Sequence, residues 1–285
     1  MINNNIFLRY EFKYFMSSKI SQEIFRQSLN FMNIDNFALK NKNQEYLVRS
    51  LYFDNNDYSN FFEKVDGIKI RKKFRLRSYD KNLNSKSPVF LEMKGRSHDR
   101  IIKKRIMIDK TDIKYFESLK NLNELSKKYN SDLIKDFIYD VKRKNIKPKI
   151  MIDYNRRPLI NKFGLYFRLT FDSDIVSTKT EYLFENKEKF KFPLEYKPGN
   201  SILEVKFERS IPAWFHRIIQ SYNLNRRSIS KFVLGVCNCK IRSETSDWSF
   251  SYMELINKIF FTIFVDELLV FIPLVLLFFY SIYSY

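Results

Sequence analysis

Ile68-Lys69-Ile70-Arg71-Lys72-Lys73-Phe74-Arg75-Leu76-Arg77 carries the reading that decides the fold. In a β-strand successive side chains point to opposite faces, so Arg71, Lys73, Arg75 and Arg77 point one way while Ile70, Phe74 and Leu76 point the other. One face suits a packed core. The other sets like charges side by side at roughly 7 Å spacing, where they repel unless water or an anion lies between them. The register recurs along the chain with carboxylates mixed in. Arg9, Glu11 and Lys13 lie opposite Tyr10, Phe12 and Tyr14, and Glu92, Lys94 and Arg96 lie beside Leu91 and Met93. Lys103 and Arg105 follow the pattern beside Ile102 and Ile106, Arg168 and Asp172 beside Leu169 and Phe171, and Glu204 and Lys206 beside Leu203, Val205 and Phe207. A solvated face ordinarily mixes in Ser, Thr, Asn and Gln, whereas Arg and Lys dominate here. A closed antiparallel barrel lined by these faces would be a cationic tunnel with a few carboxylates able to hold a metal ion.

Outward from that stretch, β-branched and aromatic residues in alternation predict eight strands, near 6–15, 46–54, 68–79, 88–96, 100–109, 148–158, 165–173 and 201–208. Helical periodicity predicts helices near 17–32, 57–65, 111–140, 212–223 and 228–240. The arrangement is α+β, without an internal repeat. The 285 residues hold 51 Lys and Arg against 32 Asp and Glu, a formal charge of +19 that asks for an anionic partner or a membrane surface. With 45% hydrophobic residues the chain can bury a full core, which excludes a disordered basic tail. The five glycines form neither G-x-x-x-x-G-K nor G-x-G-x-x-G, so any phosphate chemistry must rest on side chains. Cys237 and Cys239, one residue apart, make neither a disulfide framework nor a zinc site and point to a reduced, intracellular setting. His98 and His216 lack the neighbours of a triad or a zincin and read as structural or solvated.

Met1-Ile2-Asn3-Asn4-Asn5 leads directly into alternating sequence, so no signal peptide is expected. The body over 1–240 is followed by a polar linker, 241–254, and then by 255–285, nearly all apolar apart from Lys258, Asp266 and Glu267. Residues 268–285 are uncharged. As a helix they would rise about 27 Å, against a hydrocarbon core of about 30 Å. The expectation is a hydrophobic C-terminal helix anchoring the chain in a membrane, with the body in the cytoplasm. The alternatives are a helix buried against the body or one lying in the interface around Pro273. Because the tail holds two basic and five acidic residues, the positive excess belongs to 1–240.

Several motifs, in order and in spacing, carry a resemblance. They are Arg9-Tyr10-Glu11-Phe12-Lys13-Tyr14, Val48-Arg49-Ser50-Leu51-Tyr52-Phe53-Asp54, Glu63-Lys64 with Arg71 to Arg77, and Leu91-Glu92-Met93-Lys94. Lys103-Lys104-Arg105, Tyr154-Asn155-Arg156-Arg157, Arg168-Leu169-Thr170-Phe171-Asp172, Leu203-Glu204-Val205-Lys206 and Ser230-Lys231-Phe232-Val233-Leu234-Gly235 continue the series. Over roughly 6–240 the chain resembles the VTC domain, the polyphosphate polymerase module of the vacuolar transporter chaperone complex, within the triphosphate tunnel metalloenzymes. The resemblance implies an eight-stranded antiparallel β-barrel tunnel with flanking helices. It would bind ATP and a growing polyphosphate chain and transfer the γ-phosphoryl group with Mn²⁺ or Mg²⁺. Arg75, Arg77, Lys94, Arg168, Lys206 and Lys231 would be the catalytic cations, and Lys13 and Arg156 would also hold phosphates. Arg49, Lys64, Arg71, Lys103 and Arg105 are second candidates for that role. Glu204 would lead the metal ligands with Glu11 as a helper; Glu92 either assists or offsets the neighbouring cations. Alternation leaves open which of Arg156 and Arg157 faces inward.

The hydrolytic CYTH relatives open with Glu-x-Glu-x-Lys, where this chain has Arg9-x-Glu11-x-Lys13. A lost carboxylate disfavours two-metal hydrolysis and suits a polymerase. Fungal relatives place an SPX domain before the tunnel; with five residues ahead of the first predicted strand, control through such a domain is not expected. The competing readings are a catalytically inactive polyphosphate-binding accessory subunit and a triphosphatase of the same superfamily. Nucleic-acid binding, the routine reading of a pI near 9.7, is disfavoured because the basic residues share strand registers with carboxylates. Membrane-protein partner subunits remain open.

Overall fold

The computed structural model describes residues 10–41, 43–98, 100–162, 164, 166–185, 190–191 and 200–239. Arg9 and the linker and hydrophobic helix expected over 241–285 lie outside the described residues. Among the described residues no helix is long and apolar enough to cross a membrane.

The chain opens with β1 (Tyr10–Ser17), whose last residue caps α1 (Ser18–Ser28) by accepting the Ile20 amide. After β2 (Met32–Ile34), Asp35 caps α2 (Asn36–Leu39) by accepting the Phe37 amide at 2.9 Å. A serine hydroxyl or carboxylate at such a position satisfies an amide that the first helical turn leaves without a partner. There follow β3 (Tyr46–Asp54), α3 (Ser59–Val65), β4 (Ile70–Ser78), β5 (Val89–Ser97) and β6 (Arg100–Ile108). Three helices come next, α4 (Ile113–Ser118), α5 (Leu122–Tyr129) and α6 (Asp132–Lys144). The chain continues through β7 (Lys147–Asn161), β8 (Phe167–Lys179), β9 (Phe190–Lys191), β10 (Asn200–Phe207), α7 (Ala213–Ser221) and α8 (Lys231–Asn238). The single helix expected over 111–140 is broken because Leu119, Asn121 and Asn130 adopt left-handed backbone, with φ of 57°, 53° and 33°. Asparagine tolerates that conformation better than most residues, so the two Asn positions punctuate the run.

All ladders are antiparallel, in the order β1-β10-β8-β7-β3-β4-β5-β6, with the short β2 on β7 and β9 on β8. Two expectations are thereby corrected. The described strands number ten rather than eight, and the sheet is not a closed barrel, since no ladder joins β1 to β6 among the described residues. Closure needs the tilt and stagger of all strands to agree around the circuit, and alternation within single strands does not specify that. The sheet curls nonetheless, and Lys94 on β5 reaches Glu11 on β1 at 3.1 Å, so side chains bridge the gap that backbone bonds leave open.

Helices cover the outer face. Leu51, Phe53, Phe74, Leu76 and Leu91 pack beneath α4 to α6, where Phe137 meets Phe53, Phe74 and Phe116 at ring distances of 5.1, 5.4 and 5.2 Å. Around the sheet, Leu169, Phe171, Leu203 and Val205 pack with Ile24 and Phe25 of α1 and Phe215 and Ile218 of α7. Lys72, the cation on the core-facing side of the opening stretch, reaches Asp140 of α6 at 2.9 Å. Burial of the odd register on β10 and the even register on β4 thus leaves the charged register turned inward.

Helix α8 lies against that inner face. At Gly235 a Cβ would come within 3.0 Å of the Ile152 Cδ1 and 3.2 Å of the Ile150 Cδ1, so glycine permits the close approach to β7. Phe232 then stands 5.2 Å from the Tyr52 ring, and Lys231, in the first turn, is aimed among the inward charges.

Candidate functional site

Two carboxylate-centred clusters occupy the inner face. The first forms where the ladders set Arg75 between Tyr52 and Glu92. Arg75 donates to the Glu92 Oε2 through Nε at 2.9 Å and Nη2 at 2.6 Å, and to the Tyr52 hydroxyl at 2.8 Å. Arg77 donates to the Ser50 Oγ at 3.1 Å and to the Tyr154 hydroxyl at 3.4 Å, with its Nη1 3.5 Å from Glu92. The Lys103 ammonium lies 3.3 Å from the other Glu92 oxygen. Glu92 is only 1% exposed; burial alone would raise its pKa, but Arg77, Arg75 and Lys103 hold it well below the usual carboxylate range.

The second cluster is built by β1, β7, β8, β10 and the start of α8. Arg156 grips Asp172 with two bonds of 2.7 Å and donates to Glu204 at 3.3 Å. Lys231 donates to Asp172 at 2.6 Å and to Glu204 at 2.8 Å. Lys206 lies 3.3 Å and Lys13 3.8 Å from Glu204, and Lys13 also lies 3.2 Å from Glu11. Against burial, Lys231, Lys206, Lys13 and Arg156 hold the Glu204 pKa well down, and Lys94 and Lys13 do the same for Glu11. Tyr154 joins the clusters: its hydroxyl accepts from Arg77, and its ring lies 4.8 Å from the Lys231 ammonium and 5.2 Å from the Arg156 guanidinium.

The cations named here outnumber the carboxylates, and the surplus shows in the lysines. Lys73 has no ion pair among the described residues and sits over the Phe232 ring at 4.7 Å. Burial, with Lys94, Lys64 and Arg71 nearby, pushes its pKa down to about 7 despite Asp54. Lys103 is about half exposed at its side chain; partial burial, with Arg75, Arg77 and Lys206 close by, lowers its pKa in spite of Glu92. Lys206 is lowered by burial and by Arg156 and Lys94, and Lys64 by burial and by Arg71, Lys13, Arg96 and Lys94. Each lysine is short of negative charge, a deficit that a bound polyanion would supply.

The sequence-predicted residues divide accordingly. Lys13, Arg75, Arg77, Lys94, Lys103, Arg156, Lys206 and Lys231 come together with Glu11 and Glu204. Arg156 is the inward member of its pair, since Arg157 covers the Phe25 ring at 4.8 Å and lies 3.8 Å from Glu45. Lys64 on α3 donates to the Ser228 Oγ at 3.1 Å, and Arg71 donates to the Ile68 carbonyl, both at the edge of the group. Arg168 shares the inward register but is drawn to Asp35 at 3.0 Å, and Arg105 stacks over Phe90 at 4.2 Å. Arg49 does not join the group. It lies on the core-facing register, paired through two bonds with Asp153 at 2.9 and 2.8 Å and capped by the Leu183 carbonyl. The reading of single residues passed over Tyr52, Tyr154 and Lys73 as site members, although Tyr154 stands in a motif with Arg156, and Lys73 stands in the opening run.

Carboxylate oxygens suit a hard divalent cation, and Glu11 and Glu204 lie among Lys13, Lys94, Lys206 and Lys231. Their oxygens are already engaged by ammonium and guanidinium groups, and among the described residues no three acidic, histidine or cysteine side chains converge on one point. Such a cation would therefore draw most of its ligands from phosphate oxygens and water, with Glu204 or Glu11 supplying the protein contact.

A family model described as the VTC domain matches residues 8–240. None of the curated proteins matches. Among solved structures, a candidate adenylate cyclase from Bacillus halodurans aligns at 14% identity over 79% of this chain and 94% of that one, with a TM-score of 0.45. A protein of Pyrococcus horikoshii OT3 aligns at 14% identity over 79% of this chain and 97% of that one, with a TM-score of 0.39.

Proposed function

The chain belongs to the VTC domain family, and from that premise we propose that it is an ATP-dependent polyphosphate polymerase. The observation that carries the proposal is the inward face itself, where Arg75, Arg77, Lys94, Lys103, Lys206 and Lys231 surround only scattered carboxylates. Transfer of a phosphoryl group through a loose transition state needs in-line positioning and charge neutralisation, which such a face supplies without a side-chain nucleophile. A terminal oxygen of the growing chain attacks the γ-phosphorus of ATP. The new P–O bond forms as the bond to the β,γ-bridging oxygen breaks, and ADP leaves with that electron pair. Arg75 and Arg77 present guanidinium forks suited to two phosphate oxygens, while Lys94, Lys206 and Lys231 supply compact charge along the chain. Mn²⁺ or Mg²⁺, brought in on the phosphates and touched by Glu204 or Glu11, would add charge neutralisation.

The test is a product assay on the full chain with ATP and Mn²⁺ or Mg²⁺. A long anionic polymer accompanied by ADP is expected. ADP and inorganic phosphate alone would mean a triphosphatase, and tight polyphosphate binding without turnover an accessory subunit.

A pH dependence follows from Lys73, which loses its proton near pH 7 when no anion is bound. A bound polyanion favours its charged form, so binding at pH 8 takes up protons, and affinity falls as pH rises from 7 to 9. Titrating tripolyphosphate calorimetrically in buffers of different ionisation enthalpy reads the uptake directly; zero proton uptake at pH 8 would contradict the assignment.

A further inference from the structure

In the antiparallel order, one end of the sheet is where β3, β5 and β8 finish and β4, β6 and β7 begin. The connection from α3 to β4, Val65-Asp66-Gly67-Ile68-Lys69-Ile70, forms a tip at that end. Gly67 turns it at a φ of 72°, and the His98 amide after β5 donates to the Lys69 carbonyl at 3.0 Å. Three aliphatic side chains of the tip are turned to solvent: Val65 is 51% exposed, Ile68 47% and Ile70 66%. Single exposed aliphatics are ordinary on a protein surface, whereas a run of them on one turn marks a contact surface.

Cations surround the tip. Lys69 belongs to it, and Arg71 and Arg96 are register partners on β4 and β5. Glu63 on α3 meets Lys144 at 3.0 Å, which ties the tip to the junction of α6 and β7, where Lys147 and Lys149 stand. Lys149 donates to the Asn56 side chain at 2.9 Å and lies 5.3 Å from the Tyr58 ring, both just ahead of α3. Burial, with Lys147 and Lys179 close by, lowers the Lys149 pKa in spite of Glu181 and Asp54, so the cations of this end are crowded. Asp57, Asp66 and Glu181 offset part of that charge.

Helix α8 finishes at the same end. Its Lys231 lies beside Asp172 on β8, and Asn238 donates to the Ser177 hydroxyl further along that strand at 2.8 Å. The chain therefore leaves the body beside these cations. The nearly all apolar sequence 255–285 follows after residues 240–254, which reach at most about 50 Å. Exposed aliphatics next to lysines and arginines suit the interface of a bilayer. The apolar groups enter the acyl boundary, and cations within a Debye length of about 8 Å are drawn to anionic headgroups. The apolar sequence that departs at this end favours a bilayer over a protein partner.

We infer that this end of the body docks on an anionic bilayer surface, with Val65, Ile68 and Ile70 entering the interface and Lys69, Lys147 and Lys149 facing the headgroups. The inference does not depend on what the inner face binds or transfers.

The test measures partition of the full chain onto vesicles of phosphatidylcholine with and without phosphatidylserine. It compares the wild type, Ile68→Ser with Ile70→Ser, Lys147→Glu with Lys149→Glu, and a control, Lys120→Glu with Lys127→Glu. The control makes the same change of net charge at the other end of the sheet, where Lys128 of α5 meets Asp109 beyond β6. Phosphatidylserine is expected to raise wild-type partition, and each of the first two variants to lower partition onto those vesicles about tenfold, against less than about twofold for the control. Raised salt should abolish the difference made by the lysine pair and leave that made by the isoleucine pair. If the control falls as far as the lysine pair, binding follows net charge, no face is selected, and the inference fails. Equal partition of the wild type and both variants would mean that other parts of the chain hold the vesicle. A wild type indifferent to phosphatidylserine would leave the tip to a protein partner. Either result overturns the inference.

Discussion

A chain carrying Arg75→Ala and Arg77→Ala together is expected to make no detectable polymer from ATP, with turnover lowered by at least about a thousandfold, the scale on which arginine supports phosphoryl transfer. Both guanidinium groups converge on one carboxylate, Glu92, and through hydroxyl groups on Tyr52, Ser50 and Tyr154. That arrangement fixes their planes before any phosphate arrives, so little reorganisation accompanies transfer. The double variant also leaves a carboxylate that is 1% exposed with Lys103 as its remaining ion-pair partner in the cluster. Breaking a buried pair from one side costs about 3–5 kcal/mol. Adding Glu92→Gln removes the uncompensated charge and separates the two effects. The triple variant should regain much of the lost thermal stability and still make no polymer. Polymer synthesis by either variant at the wild-type rate would remove both arginines from the mechanism.

Lys231→Met should act on stability as strongly as on turnover. Its ammonium is shared by Asp172 and Glu204, which are otherwise joined by Arg156, and the lysine is 7% exposed. The two carboxylates hold the Lys231 pKa above its ordinary value against burial, so it is charged throughout the working range. Loss of the shared cation should cost about 3 kcal/mol at pH 7.5. The sign of the pH dependence is set by Glu204. In the wild type its pKa is depressed, so its contribution is fully present above the ordinary carboxylate value of 4.5 and is lost as pH falls through the folded pKa. In Lys231→Met two close carboxylates push one pKa up, and protonation relieves their repulsion. The deficit of the variant relative to the wild type is thus largest near neutrality and shrinks as pH is lowered toward 5. Denaturant titrations of both proteins at pH 7.5 and pH 5 measure it; a deficit of equal size at the two values would sink the account.

Much of the site was legible as strand register. Arg75 and Arg77, Glu92 and Lys94, and Glu204 and Lys206 each show a charged face against an apolar one over a few residues, and the structure turns all of them inward. Arg49 shows where that reading stops. It lies in a strand whose residues 46–54 are mostly buried on both faces, so period two gives no contrast, and only its pairing with Asp153, far along the chain, puts it on the core side. Arg156 and Arg157 are adjacent, and the choice between them rests on Asp172 and Glu204 lying to one side of β7 and Phe25 and Glu45 to the other. Arg168 keeps its register yet leaves the group, because the cap of α2 offers it Asp35.

Sequence by itself determined that the chain has a buried core, that its charge lies on strand faces, that any phosphate chemistry would rest on side chains rather than a glycine loop, and that the family is that of the VTC domain. Tertiary structure alone decided which cations meet, that α8 brings Lys231 between Asp172 and Glu204, and that the described strands curl without closing. The reason is the range of the interactions. Alternation is a property of neighbouring residues and survives in any short window, whereas a pair such as Lys94 with Glu11, or Arg49 with Asp153, exists only once ladder register and sheet curvature have joined segments 83 or 104 residues apart.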